Sequence, residues 1–294
     1  MKNIFHKLNL ALLMFVFVTF ITSCTKGNLR DMPTDGAVNI SLDWSNLYSG
    51  DTIPSAVKYC FYGSKGNIYT EDGSSKGYSG SLPSDTYSVI IYNKDASNVT
   101  YSGFGTYSGA MVSAASATKA VATLLQPTYV YGVSIGVLTV SAGKTTLTTI
   151  KPLNMIKRAD IKIIMNGDIS SVTSCICSLE GISDGISPAT GTLQSSSGII
   201  GSSFNRVTDG YESTMTFFGC ASGVKNNLNI TTVLTGGSSM TTTVDISSEL
   251  AKLSSTTVNV SIDVNITLLD NKLVATGVMV HDWNGETGGS ANVN

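Results

Sequence analysis

The sequence predicts an all-β chain, arranged as two tandem β-sandwich domains, and three observations carry that expectation. Apolar and polar residues alternate at a period of two in several runs, and Gly, Asn and Ser punctuate the chain between those runs. No amphipathic helix of respectable length is visible after the first 24 residues. Many short strands parted by turn residues favour sandwiches over α/β architecture.

The firmest strand lies near the end of the chain. Val258, Val260, Ile262, Val264, Ile266 and Leu268 alternate with Asn259, Ser261, Asp263, Asn265 and Thr267, so one face is apolar and the other polar. Asp270-Asn271 reads as a two-residue hairpin turn into Leu273–Trp283. Val38, Ile40, Leu42 and Trp44 repeat the alternation near the start. A second hairpin is expected from Leu228–Thr235 through Gly236-Gly237 to Met240–Ile246, and a brief helical turn from Ser247 to Leu253. Tyr87–Asn93 and Tyr129–Val140 are apolar on both faces and read as central strands. Pro152 interrupts the chain before a new strand, Ala159–Met165. The domains are therefore placed at 37–150 and 158–284, with a tether at 24–36 and a flexible tail at 285–294. The tyrosines fit a boundary there, because only Tyr211 lies beyond it.

The first residues read as an export signal, with cleavage between Ser23 and Cys24. Lys2 and Lys7 make a cationic start and Leu8 to Phe20 is uncharged. The apolar run is shorter than the roughly 20 residues that a membrane span needs. It ends in Ile21-Thr22-Ser23-Cys24, which resembles the lipobox of bacterial lipoproteins, with Ile21 in place of the commoner Leu. That resemblance implies acylation of Cys24, and buried acyl chains contribute about 0.8 kcal/mol per methylene to membrane binding. No later stretch is long and apolar enough to span a bilayer, so the mature chain is expected to be soluble apart from its lipid.

Charged residues make up only 13% of the chain and the net charge is −2, which argues against a nucleic-acid partner. With Cys24 assigned to lipid, Cys60, Cys175, Cys177 and Cys220 remain. Cys175 and Cys177 share a strand face with Leu179, and their spacing matches no zinc pattern, so buried free thiols are expected and no metal or cofactor. A Cys177–Cys220 disulfide stays open.

Catalytic motifs are mostly decoys. Ser75, within Gly73–Gly77, has the spacing of a nucleophile elbow but lies in a loop rather than between strand and helix. Ser116–Lys119 and Ser222–Lys225 match Ser-x-x-Lys without companion motifs. His281 and Asp282 are neighbours on a strand and point to opposite faces. No enzyme activity is expected. Tyr69, Tyr78, Tyr101, Phe104 and Tyr107 are expected in Gly/Ser-rich connections of the first domain, either as an exposed platform for sugars or a partner protein, or as caps folded over the sandwich. Asp51-Thr52-Ile53 resembles the sequon on which Bacteroidales O-glycosylate exported proteins, with Thr52 as acceptor.

Taken in order, several short motifs resemble the fimbrillin-like lipoproteins of the Bacteroidales, in the branch of fimbrial anchor and minor subunits of type V pili. They are the Cys24 lipobox, the early strand ending in Leu42-Asp43-Trp44, Ser81-Leu82-Pro83 leading into Tyr87–Asn93, and the closing Val280-His281-Asp282-Trp283. The resemblance implies two Greek-key, transthyretin-like sandwiches, and assembly in which a strand of one subunit completes the sheet of another. It also implies that polymerising pilins are released by an arginine-specific protease cutting after an early strand. Here the arginines are Arg30, Arg158 and Arg206. Arg30 precedes every strand and Arg158 lies at the expected domain boundary, so the pattern suits a subunit that keeps its lipid. The expected partners are the membrane, fimbrial subunits and, alternatively, glycans bound by the first-domain tyrosines. The expected location is the outer membrane, surface-facing, although Thr25–Asn28 lacks the acidic residues common in surface-displayed lipoproteins.

Overall fold

The computed structural model describes residues 33–117, 123–269 and 272–281. The first strands are β1 (Asp35–Leu42), β2 (Val57–Gly63), β3 (Ile68–Gly73), β4 (Gly77–Pro83) and β5 (Asp85–Asn93). β6 (Val99–Ser102), β7 (Met111–Ala114), β8 (Thr123–Leu124), β9 (Tyr131–Val140), β10 (Thr145–Ile150) and β11 (Leu153–Asn154) follow. Then come β12 (Lys157–Asn166), β13 (Val172–Ser183), β14 (Gly185–Ile186), β15 (Ser197–Val207), β16 (Gly210–Phe217), β17 (Asn227–Leu234) and β18 (Ser239–Asp245). A one-turn helix, α1 (Ser247–Leu250), precedes β19 (Asn259–Leu269) and β20 (Lys272–His281). The chain is all-β, as its alternation predicts.

Two sheets enclose the first core. One has the order β10-β1-β4 and the other β11-β9-β5-β2-β3. Val38 and Ile40 of β1 meet Tyr59, Phe61, Val89 and Ile91 of the facing sheet, all buried. The two flanks of this sandwich are closed by short connections, β3 to β4 on one side and β9 to β10 on the other. In the first of these turns Gly77 has φ +142, and a Cβ there would fall 2.0 Å from the Ile40 carbonyl oxygen. Only glycine lets the turn pass so close to β1. The Ser75 loop is thus a tight turn that carries the chain from one sheet to the other and not a nucleophile elbow, and the Ser75 carbonyl accepts from Trp44 Nε1 at 2.6 Å.

The five-stranded sheet is covered on its other face as well. Cys60, Tyr62, Ile90 and Tyr92 point away from the first core and are buried under residues 101–110 and under Ala189 from the far half of the chain. β5 is central and apolar on both faces for this reason. β9 departs from the expectation. It pairs β5 along its length, but β11 covers only Tyr131 and Gly132 on its other side. Its register on β5 shifts between Tyr87 and Val89, which makes a bulge around Gly136-Val137 and leaves Val137 70% exposed.

The second core is built on the sheet β18-β17-β13-β15-β16-β12-β19-β20, with β8 added beside β15. Its end strands β18 and β20 approach one another, so the sheet curls around the core. The longest alternation places Val260, Ile262, Val264 and Ile266 inside. β19 lies between β12, which it pairs in parallel, and β20. β17 and β18 form the expected hairpin, with Gly237 at φ +80 in the turn. Asp270-Asn271 and residues 282–294, including Asp282 and Trp283, lie outside the described residues. A smaller sheet, β14-β7-β6, and the β8–β15 pair join early strands to late ones.

Ile262→Ala removes a fully buried side chain and should destabilise by about 3 kcal/mol. Asp263→Ser, on the polar face, should change stability by about 0.5 kcal/mol or less. Equal losses in chemical denaturation of the two variants would reject this register for β19.

Candidate functional site

The early strand β1 decides what kind of surface this chain can offer to others. It is held between β4 and β10 across its width, and Val38 and Ile40 are 0% and 2% exposed. Its removal would open an apolar groove in the first core. From Asp31 to Val57 the chain carries neither Arg nor Lys, so cleavage after a basic residue cannot separate β1 from β2. Cys24, Ser23 and Arg30 lie outside the described residues.

Immediately after β1, the loop 43–56 is pinned to the second core. Arg158, at the start of β12, donates to Asp51 at 2.6 Å, with side chains 17% and 9% exposed. The Tyr131 hydroxyl donates to the other Asp51 oxygen at 2.9 Å and accepts the Tyr48 N–H at 2.8 Å. The Arg158 guanidinium lies 4.3 Å above the Tyr48 ring, a cation–π contact strengthened by desolvation. Burial, the main cause, raises the Tyr131 phenol well above the usual tyrosine range, and hydrogen bonding to Asp51 adds to it. Arg206 is held differently, donating to the Val172 and Ile169 carbonyls at 2.9 and 3.1 Å. Neither arginine sits in a loop that a protease could draw into an active site.

The aromatic residues are caps rather than a platform. Tyr69, Tyr78 and Tyr101 stand on β3, β4 and β6, and all five expected platform residues are half-buried. Tyr78 packs 5.4 Å from Tyr59 and 5.1 Å from Phe61. Tyr101 stacks on Tyr92 at 4.9 Å and donates to the Asn93 carbonyl at 2.6 Å. Phe104 lies 4.5 Å from Tyr92, and Tyr107 meets Tyr62 edge-on and donates to the Ala189 carbonyl at 3.3 Å. Thr52 is exposed in the loop between β1 and β2.

Cys60, Cys175, Cys177 and Cys220 are free thiols. Cys175 and Cys177 point into the second core with sulfurs 4.0 Å apart. Burial pushes the Cys60 thiol up and the Cys220 thiol up to about 11. Among the described residues no group of His, Cys, Asp or Glu is placed to hold a metal ion. Lys225, of the Ser222–Lys225 match, is exposed and pairs with Asp245 at 2.8 Å; part of the Ser116–Lys119 match and the His281 side chain lie outside the described residues.

The fold defines an all-β protein whose early strand is held within its own sheet. The chain belongs to the family described as "Domain of unknown function (DUF5119)", whose model matches residues 23–200. Similar solved structures include a candidate adhesin from Bacteroides ovatus, 17% identical with TM-score 0.65, covering 79% of this chain and 89% of that one. The fimbrial anchor protein Mfa2 of Porphyromonas gingivalis is 11% identical with TM-score 0.60, covering 87% and 99%. A candidate polysaccharide-binding protein from Bacteroides thetaiotaomicron is 9% identical with TM-score 0.60, covering 88% and 98%. At these identities the likeness is one of fold. No curated protein sequence matches the chain.

Two outcomes test the site. Asp51→Ala leaves Arg158 buried without its carboxylate and should destabilise by about 2–3 kcal/mol, somewhat below a fully buried pair because Arg158 keeps some solvent contact. Equal denaturation midpoints for this variant and the wild type would reject the clamp. For the cysteines, the folded protein should react slowly with a thiol reagent at pH 8, because Cys60, Cys175 and Cys177 are buried and burial raises the Cys60 and Cys220 thiols. Unfolding should release all four thiols; an intact mass short of two hydrogens would mean a disulfide instead.

Proposed function

We propose that this chain is a non-enzymatic lipoprotein of the cell envelope that serves fimbriae as an anchor or accessory subunit. Cleavage after Ser23 and acylation of Cys24 hold it in the outer membrane, facing the surface. Residues 24–36 act as the tether, 37–150 and 158–284 as two sandwich domains, and 285–294 as a tail. The observation that carries this reading is the early strand: β1 fills its own sheet and no basic residue follows it before Lys58. A subunit that cannot shed this strand cannot accept a neighbour's strand in its place. It is suited to end a polymer rather than extend it. The fold shared with a fimbrial anchor protein supports the same reading. Exposed Thr52 is the proposed O-glycan site, and fimbrial subunits are the proposed partners. The alternative, glycan binding on first-domain tyrosines, loses support because those rings are turned inward.

Fatty-acid labelling in the native host should mark the wild type and not Cys24→Ala. Cells carrying that variant should still assemble fimbriae but shed them into the medium. Equal labelling would sink the lipid assignment, and fimbriae that stay on the cell would sink the anchoring role. Intact mass from the native host should carry a glycan that Thr52→Ala lacks.

A further inference from the structure

Where the two cores meet, the chain encloses a cleft of about 660 Å³, within the range of about 300–1,000 Å³ typical of small-ligand pockets. Residues 132–134 of β9 form one wall, and β11 with the start of β12 forms a second. Residues 250–255, at and after α1, form a third, and residues 186–193 close the far side. That last segment is tied down. Ser134 Oγ donates to the Ala189 carbonyl at 2.9 Å, and the Gly191 N–H donates to the Ser187 carbonyl at 2.8 Å. The chain's own hydrogen bonds therefore hold the walls in place.

The lining is apolar over most of its extent and carries donors at one end. Val133, Met155, Ile186, Leu193, Phe218 and Leu253 supply the apolar walls. Among the described lining residues Lys157 is the one charged side chain, and none is Asp or Glu. Its ammonium donates to the Ser254 carbonyl, and no carboxylate lies within ion-pair distance of it among the described residues. Burial holds its pKa below the usual lysine range, with no acid to offset the shift. Asn154, also in the lining, accepts the Ile156 N–H on Oδ1 at 2.8 Å, while its Nδ2 is buried with no partner. Leu153, Asn154 and Ser255 also border a second cleft beside residues 46–49. Because Lys157 reaches back to Ser254, both donors gather at the end where the two clefts meet. Leaving buried donors unmatched is costly, and the match these two lack is an anionic acceptor.

We propose that this cleft binds an amphiphilic monocarboxylate of the fatty-acid type, its tail against the apolar walls and its carboxylate accepting from Lys157 Nζ and Asn154 Nδ2. An ionised carboxylate is acceptor only, which suits an end that offers donors. A sugar would bring hydroxyls to walls that are mostly apolar. Binding leaves β1 in place and makes or breaks no covalent bond, and it does not depend on the chain's being a fimbrial subunit.

The test uses the mature chain with Cys24→Ala, which leaves no acyl group of its own to compete. Titration calorimetry with decanoate should show saturable binding at one site. Decanol, with the same tail and no charge, should bind more weakly by about tenfold or more, the loss of one charge-assisted contact. Acetate, with the charge and no tail, should not bind. Lys157→Gln should bring decanoate down to the level of decanol. Leu253→Trp should fill the cleft and abolish binding of both, with melting curves showing that the variants fold. One readout needs neither variant: Cys220 lines the cleft, so decanoate should slow its alkylation by iodoacetamide, located by peptide mass. No saturable binding, equal binding of decanoate and decanol, or an unchanged rate at Cys220 would overturn the proposal. So would co-sedimentation with phosphatidylglycerol vesicles that Lys157→Gln abolishes, since a membrane lipid would then be the occupant. None of these outcomes involves fimbriae or acylation of Cys24, so failure here and failure of the anchoring role are separable.

Discussion

Strands β2 and β5 carry apolar side chains on both faces, and the rest of the architecture depends on covering both. Tyr59, Phe61, Val89 and Ile91 are met by β1 and β4, as in any sandwich. Cys60, Tyr62, Ile90 and Tyr92 need a second cover, and an ordinary two-layer fold would leave them in water. Fully burying a large apolar side chain is worth about 1.5–3 kcal/mol, so four of them recruit substantial structure. The segment around β6 and β7 supplies most of the cover, and Ala189 reaches in from beyond β14 to complete it. Because that cover is drawn from both halves of the sequence, the two cores are joined by more than a linker. Gln126 continues the connection by accepting from Thr216 N at 2.9 Å and donating to the Gly201 carbonyl at 2.9 Å.

This explains what was legible in the sequence and what was not. Period-two alternation in β1 and β19 could be read directly, because each strand has one buried face and one wet face. The two-faced burial of β5 was also legible from Tyr87–Asn93. The same pattern misled for β9: Tyr129–Val140 is as apolar, yet a bulge turns Val137 outward and Pro152 stops its neighbour from pairing. Both effects depend on which strand lies alongside, and local composition carries no such information. The tyrosine-rich stretches pointed both to a platform and to caps. What decided between them was Tyr92 and Tyr62 beneath, more than 8 residues away in each case by sequence and supplied by other strands.

The Arg158 clamp illustrates the remaining gap. Arg158 stood out only as one of three arginines, and its partners Asp51, Tyr131 and Tyr48 come from a loop and a strand far earlier in the chain. Their convergence depends on the packing of the cores against one another, which no spacing rule encodes. A charged pair taken largely out of water is a poor source of net stability, but it is selective about geometry. Only one placement of the 43–56 loop against β12 satisfies Arg158, Asp51 and both phenols together.

The parallel pairing of β1 with β10 has a kinetic side. Ala37 is aligned with Thr145 and Leu42 with Ile150, so the first strand made must wait for the whole first half of the chain. β4 can pair with it earlier, but until β10 arrives one edge of β1 stays open and the Val38–Ile40 face is incompletely covered. Contacts between residues so distant in sequence slow folding, because the intervening loop must lose its entropy first. The same holds in the second core, where β12 is paired in parallel with β19. Until that pairing forms, the folding chain keeps one edge of β1 open as a strand acceptor. Its vulnerability to wrong pairing is greatest just before residues 145–150 emerge.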